Sequence, residues 1–397
     1  VRGAEMKVFV IGFGQAGGKV ADLLLKFDRE MRMNCVVRVL AINTAKPDLM
    51  GLEHIPIEDR LLIGEAITKG HGIGADNELG AKITSEEIHT IQSAIDRKGT
   101  HLIDAFLIIA GLGGGTGSGG APVLARRLKM LYDEPVYGLG ILPARDEGGL
   151  YALNAARSLK TFVKEVDNLL LFDNDAWKRS GESVVEAHKY MNIEIVRRLS
   201  ILFGAGESDV VGEMVVDAAE VINTLRGGGI SVIGYAAEEI EENSGTSSGG
   251  GIFKKVFGGK KKTSIDTMDG VTRIMSLTKR AIVGRLTIPC DVTTAERALI
   301  IVAGPPEYIS RKGVESARKR VEELIRGTEV RGGDFPIPKS KHVAALTLFS
   351  NVSDIPRVRE LQEMAVEAQE KLREITEEKE REYKELLESR EEIKPLF

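Results

Sequence analysis

The sequence is poor in sulfur and aromatics and has no long apolar run, and each shortage removes a class of protein. Its 397 residues include two cysteines, Cys35 and Cys290, too few and too far apart for a disulfide framework or a metal site. A reducing cytoplasm is expected. No stretch approaches the ~18 consecutive apolar residues of a membrane span, and the N-terminus carries no signal-peptide pattern. Trp177 is the single tryptophan, and 54 Lys and Arg face 59 Asp and Glu for a net charge of -5. That balance argues against nucleic acid as the main partner. What remains is a globular chain long enough for two domains of ordinary size.

Glycine is abundant and concentrated in one place. Between Gly111 and Gly120 seven of ten residues are glycine. This run follows the apolar residues 105–110 and precedes 121–128, which read as a helix. Residues without Cβ suit a backbone that turns sharply and lies against something bulky. Between a buried strand and a helix N-terminus, its amides and the helix dipole favour an anion, phosphate above all. The other reading of such a run, a linker, does not usually sit between two apolar elements.

Further loops share this setting. An apolar strand at 7–11 runs into Gly12-Phe13-Gly14-Gln15-Ala16-Gly17-Gly18 and a helix from 19 to about 29, the G-x-G-x-x-G turn of dinucleotide sites. The next strand, 36–42, ends in Asn43-Thr44-Ala45, where an NAD site offers Asp or Glu to the ribose. A P-loop fails too, because its first Gly falls on Phe13 and its Ser/Thr on Val20. Residues 68–77 form a third glycine-punctuated loop. The helix expected after it spans 84–97, with Ser85, Glu86 and Glu87 in its first turn. A strand at 136–142 is stopped by Pro143, and one at 169–172 ends in Asp173-Asn174-Asp175. Strands alternating with helices predict an α/β fold with a doubly wound parallel sheet, its loops converging on one ligand beyond the carboxyl ends.

The second half reads differently. Residues 184–203 are apolar at helical spacing through Val185, Ile193, Val196, Leu199 and Leu202, as a helix joining two domains should be. Downstream, Asp217 and Glu220 stand three apart, on one face if helical. Paired carboxylates can position and polarise an attacking water. A solvated helix start, with acids on the dipole, is the alternative. Strands at 230–235, 284–288, 298–302 and 343–349 and an amphipathic helix at 313–326 predict a smaller α+β domain. Residues 243–264 hold six Gly, five Lys and no acid, a flexible loop by composition. From Asp354 on, fourteen acids and nine bases with i,i+4 pairs support a helix. Its apolar stripe (Leu361, Ala365, Ala368, Leu372, Ile375) fades near Thr376, so its first half is expected on the body and the rest frayed.

Together these residues resemble the tubulin/FtsZ superfamily. Residues 113–119 match its signature G-G-G-T-G-[ST]-G, the loop order around them matches, and the likeness runs from about Met6 to Gln362. Gly304-Pro305-Pro306-Glu307, Arg311-Lys312-Gly313 and Val330-Arg331-Gly332-Gly333-Asp334 resemble the archaeal tubulin-like CetZ group more than division FtsZ. The resemblance implies a GTP/GDP-binding domain (1–183) and a central helix with a hydrolysis segment (184–228). It further implies a C-terminal α+β domain (229–351) with the basic insertion 243–264, and here a charged helical tail (352–397) follows. Carried over, Gly12, Gly14, Gln15, Ala16 and Gly17 form the first phosphate loop, and Asn43 and Thr44 the second. Gly72, Gly74 and Ala75 approach the γ-phosphate, and Gly113, Gly114, Gly115, Thr116, Gly117 and Ser118 hold the α- and β-phosphates. Pro143 and Glu147 match the ribose loop, and Asn174 and Asn192 the guanine-reading positions. His188 stands where the family usually stacks Tyr or Phe.

The resemblance also implies Mg²⁺ on the phosphates, head-to-tail self-assembly, and hydrolysis by Asp217 and Glu220 at the neighbouring subunit's nucleotide. A role in cell shape is the expected outcome. Residues 243–264 are expected either to remain a merely solvated loop or to make lateral contacts or dock on an anionic or membrane surface, the last of which would place the protein at the inner face of the cell envelope. Two alternatives stand at this point. One is a GTP-binding scaffold with little hydrolysis, and the other a Rossmann-type oxidoreductase.

Overall fold

Strand β1 (Val8–Phe13) is buried along its whole length and its side chains alternate between two cores. Phe9, Ile11 and Phe13 pack on one face of the sheet, and Val8 and Val10 on the other. A strand buried on both sides belongs to the middle of a parallel sheet covered by helices. The computed structural model describes residues 5–178, 181, 183–205, 216–240 and 268–388.

The chain runs on through α1 (Gly14–Met31), β2 (Val36–Asn43), α2 (Lys46–Met50), β3 (Arg60–Leu62), α3 (Glu65–Thr68), α4 (Asn77–Glu86) and α5 (Ile88–Lys98). Then come β4 (Ala105–Gly111), α6 (Thr116–Leu131), β5 (Val136–Leu142), α7 (Gly149–Glu165), β6 (Asn168–Asp173) and α8 (Asn174–Trp177). The second half comprises α9 (Val184–Gly204), α10 (Ala218–Leu225), β7 (Ile230–Glu239), α11 (Met268–Gly284), β8 (Arg297–Gly304), α12 (Arg311–Glu322), β9 (Glu329–Pro336), β10 (His342–Ser350) and α13 (Pro356–Glu388).

Among the described residues the strands form one sheet in the order β3-β2-β1-β4-β5-β6-β7-β10-β8-β9. The first six are parallel throughout, giving the doubly wound sheet expected from sequence. Its strand order reverses between β1 and β4, and ligands of such sheets settle in the crevice outside the carboxyl ends there. Beyond β6 the sheet nearly parts. Strand β7 pairs with it only at Leu169↔Ile230 and Leu170↔Ser231, then continues antiparallel with β10.

Helix α9 crosses the sheet from one edge to the other. Its 21 residues span about 30 Å at 1.5 Å per residue. Ser183 and Glu186 close a capping box at its start, and at its far end Phe203 O accepts from Met6 N at 3.0 Å, beside the amino end of β1. Val196, Leu199 and Leu202 are buried as expected, but Val185 is 63% exposed. The helix also buries Arg198, paired with Glu194 at 2.7 Å and lying 4.5 Å over the Trp177 ring.

Several sequence expectations need correction. The helix placed at 84–97 is two helices, α4 and α5, meeting at Glu87. The start is Asp76, whose Oδ1 accepts from Leu79 N at 2.9 Å, so Ser85 and Glu86 end a helix instead of opening one. The strand expected at 284–288 is a single bridge, Gly234↔Leu286, because α11 occupies the chain up to Gly284. Strand β9 and helix α11 were not foreseen, and α12 stops at Glu322. The tail does not fray near Thr376: α13 is continuous to Glu388, and burial along it already ends at Ala368. The insertion 243–264, residues 206–215 and the last residues from 389 lie outside the described residues.

Candidate functional site

Loops at the carboxyl edge of the parallel sheet surround a cleft of about 410 Å³. The first is the turn between β1 and α1. Gly14 sits there at φ +73°, and a Cβ on it would lie 2.9 Å from Gly117 N. Only glycine lets the turn after β1 and the glycine run opening α6 approach so closely. In the second loop Asn43 Oδ1 accepts from Thr44 N at 2.8 Å and Ala45 N at 3.2 Å. The carboxylate of Asp48 then takes Gln15 Nε2 at 3.0 Å and Asn43 Nδ2 at 3.1 Å.

The third loop turns through left-handed backbone at Gly72, Gly74 and Ala75. Its end is tied to the glycine loop by Asn154 of α7, which donates to Ala75 O at 2.6 Å and Gly113 O at 3.0 Å. The glycine loop itself opens α6. Gly114 has nothing within 4 Å of an ideal Cβ, whereas one on Gly119 would meet Asn77 O at 2.1 Å. The run therefore serves two ends: open backbone toward the cleft, and close packing of α6 on α4. The start of a 16-residue helix presents free amides and a partial positive charge to an anion.

Most of the predicted residues meet here. Gly14, Gln15, Ala16, Asn43, Thr44, Gly72, Gly74, Ala75, Gly113, Gly114, Gly115, Thr116, Gly117, Pro143, Glu147, Asn174 and His188 all line the cleft. Four others do not. Gly12 and Gly17 are packing positions, where a Cβ would meet Gly17 O at 2.6 Å and Ile109 O at 2.0 Å respectively. Ser118 turns inward, donating to the carbonyls of Gly114 and Gly115, and Asn192 does not line the cleft. A larger hollow of about 1080 Å³ beside Trp177 and Tyr190 gathers none of the predicted residues.

Asp217 and Glu220 lie elsewhere. Asp217 caps α10, its Oδ1 accepting from Glu220 N at 2.9 Å. Helix α10 ends at Leu225, whose carbonyl accepts from Asn168, the first residue of β6, at 3.0 Å. That places α10 at the amino edge of the sheet, opposite the cleft. Burial, then the adjacent Asp217 charge, raise the Glu220 carboxyl, while Arg331 from β9 acts against them.

Asp48, Asn154 and Tyr151 also bear on the cleft, and the sequence reading passed over them. Asp48 was the most accessible, since it follows Asn43 closely in a loop already singled out. Asn154 lies mid-helix and carries no local signal.

A doubly wound parallel sheet with glycine-bearing loops around a crevice at its switch point defines a nucleotide-binding α/β protein. Residues 7–182 match the model of the Tubulin/FtsZ family GTPase domain. Residues 181–367 match that of the C-terminal domain of tubulin-like CetZ. The tubulin-like protein CetZ1 of Haloferax volcanii is 54% identical over 374 residues, 93% of this chain and 94% of its own length. A structure of CetZ1 from that organism, described as a GDP bound monomer, matches with a TM-score of 0.81 at 52% identity. It covers 92% of this chain and 100% of its own. CetZ2 from the same organism, a GTPgS bound protofilament, matches with a TM-score of 0.80 at 43% identity, covering 93% and 100%. The chain belongs to the tubulin/FtsZ family, in its tubulin-like CetZ branch, and is a cytoskeletal GTPase.

Proposed function

We propose that the cleft binds GTP or GDP, that copies of the chain assemble head to tail, and that Asp217 and Glu220 of one copy act on the nucleotide held by the next. The observation that carries this reading is the separation of the two sets of residues. The cleft opens at the carboxyl edge of the sheet and the acid pair stands at the amino edge. Within one copy they face opposite poles, so they meet only when one copy stacks on another.

In this reading the amides around Gly14 and Gly113–Gly117 take the phosphates, Glu147 accepts from ribose hydroxyls, and Asn174 reads the base beside His188. Asp217 and Glu220 orient a water for attack on the γ-phosphorus; the bond to the β-phosphate oxygen breaks, releasing phosphate and leaving GDP. Mg²⁺ bound to the phosphates supplies charge neutralisation.

The proposed division is a GTP-binding domain to 183, a helix-and-hydrolysis segment to 228, a C-terminal domain to 351 and a helical tail. The proposed setting is the cytoplasm and its boundary with the envelope, with a role in cell shape and with 243–264 making lateral or membrane-surface contacts. Among the described residues no helix is long and apolar enough to cross a membrane.

The test is GTP turnover per molecule measured against protein concentration. A rate that rises above a critical concentration supports the shared site. A rate flat with concentration overturns it in favour of a self-sufficient monomer, and tight GTP binding without turnover leaves a scaffold.

A further inference from the structure

Helix α13 is remote in sequence from every loop of the cleft, yet one of its side chains ties two of those loops together from behind. Arg357 is 4% exposed. Its Nη2 donates to Pro143 O at 3.0 Å, in the loop after β5. Its Nε faces Asp173 Oδ1 at 3.4 Å, at the end of β6, and its Nη1 faces Glu360 Oε1 at 3.1 Å. Asp173 Oδ1 in turn accepts from Asp175 N at 3.2 Å, capping the short helix whose first residue is Asn174. Glu360 also takes the guanidinium of Arg145 from the loop after β5, and Arg145 N donates to Asp175 Oδ1 at 3.1 Å.

One rigid plane of N–H donors therefore fixes the distance between two loops. On one side are Pro143 and, a short turn away, Glu147. On the other is Asn174. A guanidinium holds its donors in a fixed fork that an ammonium cannot reproduce. Docking α13 on the body requires far less: Leu361 and Ala365 are buried in the apolar core, and Ala368 lies against Gly149. A buried charge reaching both loops is more than packing needs, and an unpaired one would be costly.

We infer that Arg357 is a positioning residue for base recognition: through Pro143 O and Asp173 it sets the ribose loop and Asn174 at the spacing that one guanine nucleoside requires. The inference rests on the guanine-nucleotide reading of the cleft. It makes the C-terminal helix part of the specificity apparatus, although no residue of that helix lines the cleft.

The experiment is equilibrium binding of GDP and of ADP to the full chain, below the concentration at which it assembles. Wild type is compared with Arg357→Lys and Arg357→Ala, and thermal unfolding checks that each variant is folded. Expected is a drop of about tenfold in the preference for GDP over ADP, already present in Arg357→Lys, because one ammonium cannot span Pro143 O and Asp173 together. A purely structural role would lower the melting temperature and leave that preference intact. A preference held within threefold of wild type in a folded variant overturns the inference, and a larger fall bears it out. Should Arg357→Ala fail to fold, Arg357→Lys, which keeps the buried charge, decides. A wild type with no preference for GDP overturns the guanine reading itself, and the inference with it. A wild type whose preference survives in the variants overturns only the role of Arg357.

Discussion

The hydroxyls of Thr44 and Thr116 lie 2.7 Å apart, both buried, and join the loop after β2 to the first turn of α6. This bond is a direct link between two segments of the cleft that are 72 residues apart in sequence. Replacing Thr44 with Val keeps the shape and leaves the Thr116 hydroxyl without that partner. A loss of about 1–2 kcal/mol is expected, read from urea unfolding, with GDP binding weakened as the loops drift apart. Unchanged stability would mean that the hydroxyls find other partners at no cost.

Gly14 and Gly74 both sit at positive φ, but their surroundings differ. A Cβ on Gly14 would press on Gly117 N at 2.9 Å, whereas Gly74 has nothing within 4 Å. Gly74→Ala should therefore cost only backbone strain, about 1 kcal/mol, and keep nucleotide binding. Gly14→Ala should also push the first loop away from α6 and weaken GDP binding by about tenfold or more (~1.4 kcal/mol per tenfold). Calorimetric titration of the two variants separates strain from collision.

Asp217 caps α10 and is proposed to act on the next copy's nucleotide, and substitution can pull these two apart. Asparagine caps a helix as well as aspartate does, while alanine costs about 1 kcal/mol. Asp217→Asn should keep the stability of α10 and lose assembly-dependent turnover, whereas Asp217→Ala loses both. Turnover retained in the Asn variant would reduce Asp217 to a cap. The same substitution should bring the Glu220 carboxyl down toward its ordinary value, since the Asp217 charge is a cause of its rise after burial.

Stability should also respond to pH through the α13 contact. The hydrogen bond from Arg145, reinforced by the charges of Arg357 and Arg145, lowers the Glu360 carboxyl from its ordinary value of 4.5. A depressed carboxylate binds protons more weakly in the folded state, so its stabilisation is present above the ordinary value and is lost as pH falls through the folded one. Asp173 has the opposite sign. Burial raises it despite Arg357, and its contribution favours the fold at low pH and fades as pH rises. Melting temperatures of wild type and Glu360→Gln should differ near neutrality and converge in acid, as pH falls through the depressed Glu360 value. A gap that persists in acid would remove Glu360 from the account.

The glycine-bearing loops of the cleft were legible because their physics is local. A run such as residues 111–120 admits few structures between a strand and a helix, and the strands around it are buried on both faces, so their apolar runs are unbroken. The misreadings arose where a local signal competed with a stronger neighbour. Asp76 is an ordinary N-cap, but it directly follows a glycine-rich loop, and Gly80 weakens the helical signal of the segment it opens. Strand β9 hides because Arg331, Gly332 and Gly333 interrupt any alternation between Val330 and Phe335. Helix α11 carries Ile274, Leu277 and Ala281 at helical spacing, yet it lies just after the basic run and just before the segment 284–288 expected as a strand. Arg357 could not be read at all: its contacts with Asp173 and Pro143 cross 184 and 214 residues of chain, and nothing near it in sequence marks them.

Past Ala368, helix α13 leaves the body. Every described side chain from Gln369 to Leu387 is exposed, and from Gln369 to Glu388 eight acids face five bases. A helix of that length is a rod of about 30 Å, projecting once per copy and carrying net negative charge. In a head-to-tail polymer such a rod would recur once per copy, and repulsion between like-charged rods would be screened over about 10 Å at 0.1 M salt and about 3 Å at 1 M. In concentrated salt only the bulk of the helix would remain.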